Sequence, residues 1–305
     1  MVRAEPGGTC PYLNPPPGFE IRDGDGLTLL ARDYEDTAPG PPIEGVAERR
    51  RAPMLRAPGT GTHKRVLVLG WNHKVPQLVR EFSTYADESF QIDVLSSVPV
   101  LTRERALRRT EWQSERVQVA HIEADYTVEA ELRGASPEAY DTVMLVGSDW
   151  LESEEESDAR TILGHLSLRG ILSETGRRTH SLVELLDPNN LPLLGRVEGE
   201  ILISPLIVSH MLALVALRRE LRAVFEQLFT AGGAEISFRT GAEYGLAGAV
   251  PFADIQRAAD SHGETALGVH TGPGRAALHL NPVHTSTWDL SGAARVVTLV
   301  TYAPT

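Results

Sequence analysis

Between residues 63 and 203 the chain alternates short apolar runs with stretches of helical period. Residues 66–69, closed by Gly70, follow the basic pair Lys64-Arg65 and predict a first strand over 65–69. A turn and a helix over 76–85 come next, with Pro76 in a tolerated first-turn position. Further strands are predicted over 91–96, 117–122, 142–146, 181–186 and 200–203. Helical pieces lie between them near 103–109, 128–133 and 154–169, and from Asn189 onward. Strands alternating with helices specify a parallel sheet, that is, a Rossmann-like α/β unit.

From 206 to 229 one long helix is predicted. Its first half is apolar almost all round, which demands cover on both faces and makes His210 a core histidine. Its second half narrows to the stripe Leu221, Val224, Phe225, Leu228 and Phe229. After Gly232-Gly233 a small lobe is predicted, with a strand over 235–239, a helix over 252–259 and strands near 265–270, 276–280 and 295–301.

The front of the chain echoes its end. Val2, Pro6-Gly7 and Leu13-Asn14-Pro15 align without gaps with Val269, Pro273-Gly274 and Leu280-Asn281-Pro282. After a two-residue shift, Phe19-Glu20-Ile21 falls on Trp288-Asp289-Leu290, and residues 27–31 fall on 296–300. A spacing this long implies tandem copies of a large unit. The expected organisation is therefore a β-rich tail of a preceding copy (1–34), a linker rich in Pro, Gly and Arg (35–62), an α/β body with its helix (63–230) and a C-terminal lobe (231–305). The chain reads as the downstream piece of a longer tandem protein. Arg49-Arg50-Arg51 in the linker is either a solvated charge run or a contact for a phosphate or acidic partner.

Composition narrows the function. With 305 residues, 42% hydrophobic and 23% charged, the chain is ordinary globular material. A net charge of −12 argues against a nucleic-acid surface, which needs a basic face. The single Cys10 excludes an intrachain disulfide or a thiolate metal cluster, and no apolar stretch precedes it as a secretory signal would. A cytoplasmic setting follows. The most apolar run, 201–217, is interrupted by Ser204, Pro205, Ser209 and His210, so no direct membrane insertion is expected.

Two segments could carry chemistry. A dinucleotide fingerprint needs three glycines after the first strand, yet the turn reads Gly70-Trp71-Asn72-His73-Lys74-Val75, with Asn72 and Val75 where glycines belong. The second strand ends in Ser96-Ser97 where an acid for the ribose is required. Both failures argue against NAD. Trp71 and His73 are placed to contact some other ligand; alternatively Trp71 caps the core at the sheet edge. The second segment, residues 149–158, holds six carboxylates in ten residues at the end of the fourth strand. Glu152, Glu154, Glu155 and Asp158 are candidate oxygen ligands for Ca²⁺. The competing reading is a helix N-terminus that favours acids, with Ser153 as cap and Glu156 at the capping-box position. No hydrolase elbow, zincin motif or P-loop occurs, so no catalytic residue is assigned.

Several of these residues together resemble the Castor/Pollux family of ion channels. They are Gly70-Trp71, Leu95-Ser96-Ser97-Val98-Pro99, Ser148-Asp149 with Glu152, and Ser157-Asp158-Ala159-Arg160. Ahead of them stand Asp23-Gly24-Asp25-Gly26-Leu27 and Ala38-Pro39-Gly40-Pro41. The resemblance covers essentially the whole chain. It implies the cytosolic region of a channel with tandem RCK (regulator of K⁺ conductance) domains: the tail of one, then a complete second one with its Rossmann-like N-lobe, long crossover helix and small α+β C-lobe. It further implies a non-enzymatic gating-ring subunit, a homotetramer working with a pore region. Such a subunit senses a cytosolic ligand, with Ca²⁺ the candidate and Gly70, Trp71, Asn72, Ser148 and Asp149 the candidate binding residues. The rivals are a free-standing nucleotide-binding sensor or degenerate oxidoreductase of the same fold, and a remnant that supplies only an assembly surface.

Overall fold

The computed structural model describes residues 2–5, 8–15, 19–29, 62–85, 88–112, 115–177, 179–195, 199–230, 233–272 and 275–301. The expected linker up to residue 61, its arginine triplet and the 38–41 junction lie outside them. The chain divides into two compact units, Gly59–Arg218 and Met1–Pro58 with Arg219–Thr305. The division falls within the predicted long helix.

The chain opens with the antiparallel hairpin β1 (Val2–Glu5) and β2 (Gly8–Pro11), Val2 facing Pro11. The α/β unit then follows as β3 (His63–Leu69), α1 (Val75–Thr84), β4 (Ser89–Ser96), α2 (Val100–Arg108), β5 (Val117–Glu123), α3 (Glu129–Gly134), β6 (Thr142–Leu145), α4 (Glu154–Thr175), β7 (His180–Leu185), β8 (Glu200–Ile203) and α5 (Ser204–Leu217). Its six strands pair in the order β5-β4-β3-β6-β7-β8, all parallel.

Side chains alternate across a strand, so each buried run feeds two cores. Leu67, Leu69, Val143, Leu145 and Val183 pack under Ile162, Leu168 and Ile171 of α4. Val66, Val68, Ile92, Val94 and Met144 pack under Val75 and Val79 of α1. Burial on both faces is why these strands read as unbroken apolar runs rather than as an alternation. Ser153 caps α4 by accepting from the Glu156 amide at 3.1 Å, and Gly176, with φ +64°, ends it.

Two expectations are corrected here. The segment from Asn189 is a 3₁₀ turn, Pro188–Leu194, because Pro192 lacks the N–H that an α-helix would need. The long helix is two helices. α5 ends where Arg218 turns extended (φ −142°), and α6 (Leu221–Phe229) starts after the polar residues 218–220, where the apolar pattern changes from all-round to one-sided.

The other unit continues with β9 (Ala234–Arg239), β10 (Ala249–Pro251), α7 (Phe252–Ser261), β11 (Thr265–His270), β12 (Leu278–Leu280), β13 (Thr287–Asp289) and β14 (Arg295–Thr301). An antiparallel sheet of order β12-β11-β14-β9 is covered on one face by Phe252, Ile255 and Ala259 of α7, and β10 pairs with β13. Its interior holds a buried ion pair, Arg239 Nη2 to Glu264 Oε1 at 2.7 Å, and the Tyr244 hydroxyl donates to the same carboxylate. The aligned repeat has a backbone counterpart. Asn14 and Asn281 both adopt left-handed backbone, φ +49° and +44°, and each is followed by proline.

Candidate functional site

The C-terminal edge of a parallel sheet, at the point where strand order reverses, is where open α/β folds gather ligands. In this unit the reversal lies between β3 and β6. The loops that leave those two strands contain all five residues singled out as ligand-binding candidates, and the structure brings them together.

Gly70, at φ +102°, is the hinge of the first loop. A Cβ there would stand 2.6 Å from the Val146 carbonyl oxygen, so the glycine is needed for close approach of the two loops themselves. Asn72 is 1% exposed; its Nδ2 donates to the Gly147 carbonyl at 2.5 Å, and its Oδ1 accepts from the Lys74 amide at 2.9 Å. Trp71 is buried in the α1-side core, edge-on to His121. On the outer rim, Asp149 accepts from the His73 amide at 2.7 Å and pairs with His73 Nδ1 at 2.6 Å. The Ser148 amide donates to Ser157 Oγ at 2.7 Å. Three hydrogen bonds, from Asn72 to Gly147 and from the His73 amide and ring to Asp149, thus lace the loop after β3 to the loop after β6.

The acidic segment is arranged differently. Asp158 is fully buried. Its carboxylate accepts from the amides of Leu186 and Asp187 at 2.8 and 2.9 Å and from Asn190 Nδ2 at 2.8 Å. Glu152, Glu154 and Glu155 are exposed on the other side of the helix start. Among the described residues no group of three or more His, Cys, Asp or Glu side chains is placed to hold a metal ion. The four residues considered for Ca²⁺ are not brought to a common point.

The motif Ser157-Asp158-Ala159-Arg160 has a geometric meaning. Ser157 holds the loop after β6, Asp158 the turn after β7, and Arg160 the loop after β5 through Asp125 at 2.7 Å. Burial works against the charge of Asp125, but the hydrogen bonds from Arg160 and Thr127 outweigh it and hold its pKa below the usual range. Arg160 also lies over the Trp150 ring, 5.9 Å from its centroid, and Tyr126 packs against Gly164, where a Cβ would come within 2.5 Å of the ring. One turn of α4 therefore braces three loops.

Sequence reading missed Arg103. It is fully buried and caps the ends of β4 and β5, donating to the carbonyls of Val94 at 2.7 Å, Ile122 at 3.3 Å and Ser96 at 3.4 Å. Burial lowers its pKa, with Glu123 opposing. The available signal was its i, i+4 spacing to Leu107, which puts both on the helix face turned inward.

A six-stranded parallel sheet with this strand order, an apolar helix after its last strand and a small α+β lobe define a Rossmann-like α/β fold with an appended lobe. The solved structure of the human SLO3 gating ring matches it with a TM-score of 0.54 at 12% identity, covering 78% of this chain and 44% of that one. The chain is similar in sequence to curated ion channels of the Castor/Pollux type. Ion channel DMI1 of Medicago truncatula is 24% identical over 261 aligned positions, covering 74% of this chain and 29% of the relative. Ion channel CASTOR of Lotus japonicus is 21% identical over 328 aligned positions, covering 94% and 37%. This chain thus spans about a third of the length of these curated relatives. No family model matches it, and no helix among its described residues is long and apolar enough to cross a membrane.

Proposed function

We propose that the chain is a cytosolic gating-ring module of a Castor/Pollux-like cation channel, non-enzymatic, ligand-sensing and oligomerising, with residues 63–230 as its N-lobe and 231–305 as its C-lobe. It would form a tetrameric ring that acts on a pore region.

The observation that carries this reading is α5. The helix SPLIVSHMLALVAL is apolar over nearly its whole circumference, yet none of its residues is buried. Leu206, Ile207, Val208, Leu212, Leu214 and Leu217 are between 39% and 81% exposed. His210, expected as a core histidine, is exposed as well. A stripe of that size on a chain of net charge −12 fits an assembly surface. The laced loops after β3 and β6 support a sheet that transmits force rather than holding a dinucleotide.

Light scattering after size exclusion tests the reading. The full chain is expected to run as an oligomer, and Leu212→Glu with Leu217→Glu as a monomer with an unchanged circular-dichroism spectrum. A wild-type chain that stays monomeric at all concentrations would remove the gating-ring reading.

A further inference from the structure

A cavity of about 150 Å³ opens on the α1 face of the six-stranded sheet. Of the five ligand-binding candidates only Asn72 reaches it. Its walls are apolar, formed by Val75 and Leu78 of α1, Met144 of β6, Leu182 of β7 and Leu202 of β8. A cavity of this volume takes a group of about benzene size.

Its polar end is built from Lys74, Glu184 and Ser204. Glu184 is buried and already accepts on both oxygens: Lys74 Nζ and Ser204 Oγ reach Oε1, and the Gly147 amide reaches Oε2 at 3.1 Å. A ligand cation would find those oxygens occupied. Lys74 differs. Its side chain is 44% exposed, and an ammonium has three donors, of which one serves Glu184. Lys74 precedes the first turn of α1, and Ser204 opens α5, so two helix N-termini add positive potential at the same spot. The spare hydrogen-bonding capacity is donor capacity beside an apolar space.

We propose that this cavity binds a small monocarboxylic acid. Its branched or aromatic body, of about six to eight non-hydrogen atoms, fills the space beside Leu78 and Met144, and its carboxylate is held by the Lys74 ammonium. This deepens the ligand-sensing part of the reading above by naming a ligand class.

Calorimetry on the full chain tests it with benzoate and 4-methylpentanoate, against benzyl alcohol and 4-methylpentan-1-ol as neutral counterparts. The acids should bind saturably and the alcohols roughly tenfold or more weakly, since a charge-assisted hydrogen bond is lost. Leu202→Trp, at a position 42% exposed that tolerates a larger ring, should fill the cavity and abolish acid binding with its melting curve unchanged. Lys74→Arg should retain binding, and Lys74→Met should weaken it by roughly tenfold or more. If Leu202→Trp melts early, the contrast between the two Lys74 variants decides. No saturable binding below about 10 mM, equal binding of acids and alcohols, or equal binding in the two Lys74 variants overturns the proposal. Each leaves the gating-ring reading intact, whereas a strictly monomeric chain that binds benzoate would sink that reading and keep the cavity.

Discussion

Gly70 shows how much a single backbone position carries. Its φ of +102° and the Val146 carbonyl 2.6 Å from a would-be Cβ make even alanine costly. Gly70→Ala is expected to destabilise by about 2–4 kcal/mol through strain and displacement of the β6 loop. Asn72→Ala, which strands the buried Gly147 carbonyl, should cost about 1–3 kcal/mol. Urea unfolding of both variants ranks them, and a harmless Gly70→Ala would show the two loops to be looser than described. His165 makes a second residue-scale case. It is 2% exposed in α4, and neither ring nitrogen has a hydrogen-bond partner among the described residues. Burial, then Arg169, holds its pKa below the usual histidine value. The unfolded chain takes up this proton near pH 6.5 and the native chain only at lower pH. The stabilisation is therefore full above about pH 6.5 and drains away as pH falls below it. His165→Leu should remove that part of the pH dependence; an identical slope in the variant would assign it to other groups.

At the scale of elements, α4 shows what sequence can and cannot disclose. Its start was legible because Ser153 three places before Glu156 is a capping signature; its end was not, since the expected helix stopped at residue 169 while α4 runs on to Thr175, where Gly176 supplies the left-handed turn. The roles of its acids were not legible. Glu152, Glu154, Glu155 and Asp158 look alike in one dimension, yet only Asp158 lies on the face turned inward, where backbone amides after β7 consume its charge. Titration with Ca²⁺ should therefore give no heat from this segment, and Glu154→Gln with Glu155→Gln should behave as wild type. A saturable calcium signal lost in that double variant would restore the segment as a cation site. The strands were readable for a related reason: a sheet covered on both faces writes itself as runs such as Val66-Leu67-Val68-Leu69. Arg103 broke that logic, since a charge inside a helix near a sheet edge reads as solvent-facing until the carbonyls of Val94 and Ile122 are seen to converge on it. The break between α5 and α6 was hidden because residues 218–220 contain neither glycine nor proline.

At the scale of the molecule, the echo between the front and the end of the chain is more than textual. Asn14 Nδ2 donates to the Gly263 carbonyl at 2.7 Å, and its Oδ1 accepts from Thr265 Oγ1 at 2.9 Å. Thr301 Oγ1 reaches the Leu13 carbonyl at 3.4 Å. The opening tail is thereby fastened to the C-terminal lobe it resembles. Asn14→Ala should cost about 1–2 kcal/mol, combining lost hydrogen bonds with an unfavourable left-handed backbone. It should also speed hydrogen exchange in the amides of β1 and β2; unchanged exchange would mean the tail is held by other contacts. The strand order of the six-stranded sheet also governs how the sheet is made. The middle strand β3 leaves the ribosome first; β4 settles against it and β5 against β4, and then β6 joins the free side of β3, followed outward by β7 and β8. Each newcomer meets an edge already in place, so the sheet can grow by accretion during translation without waiting for residues still to be added.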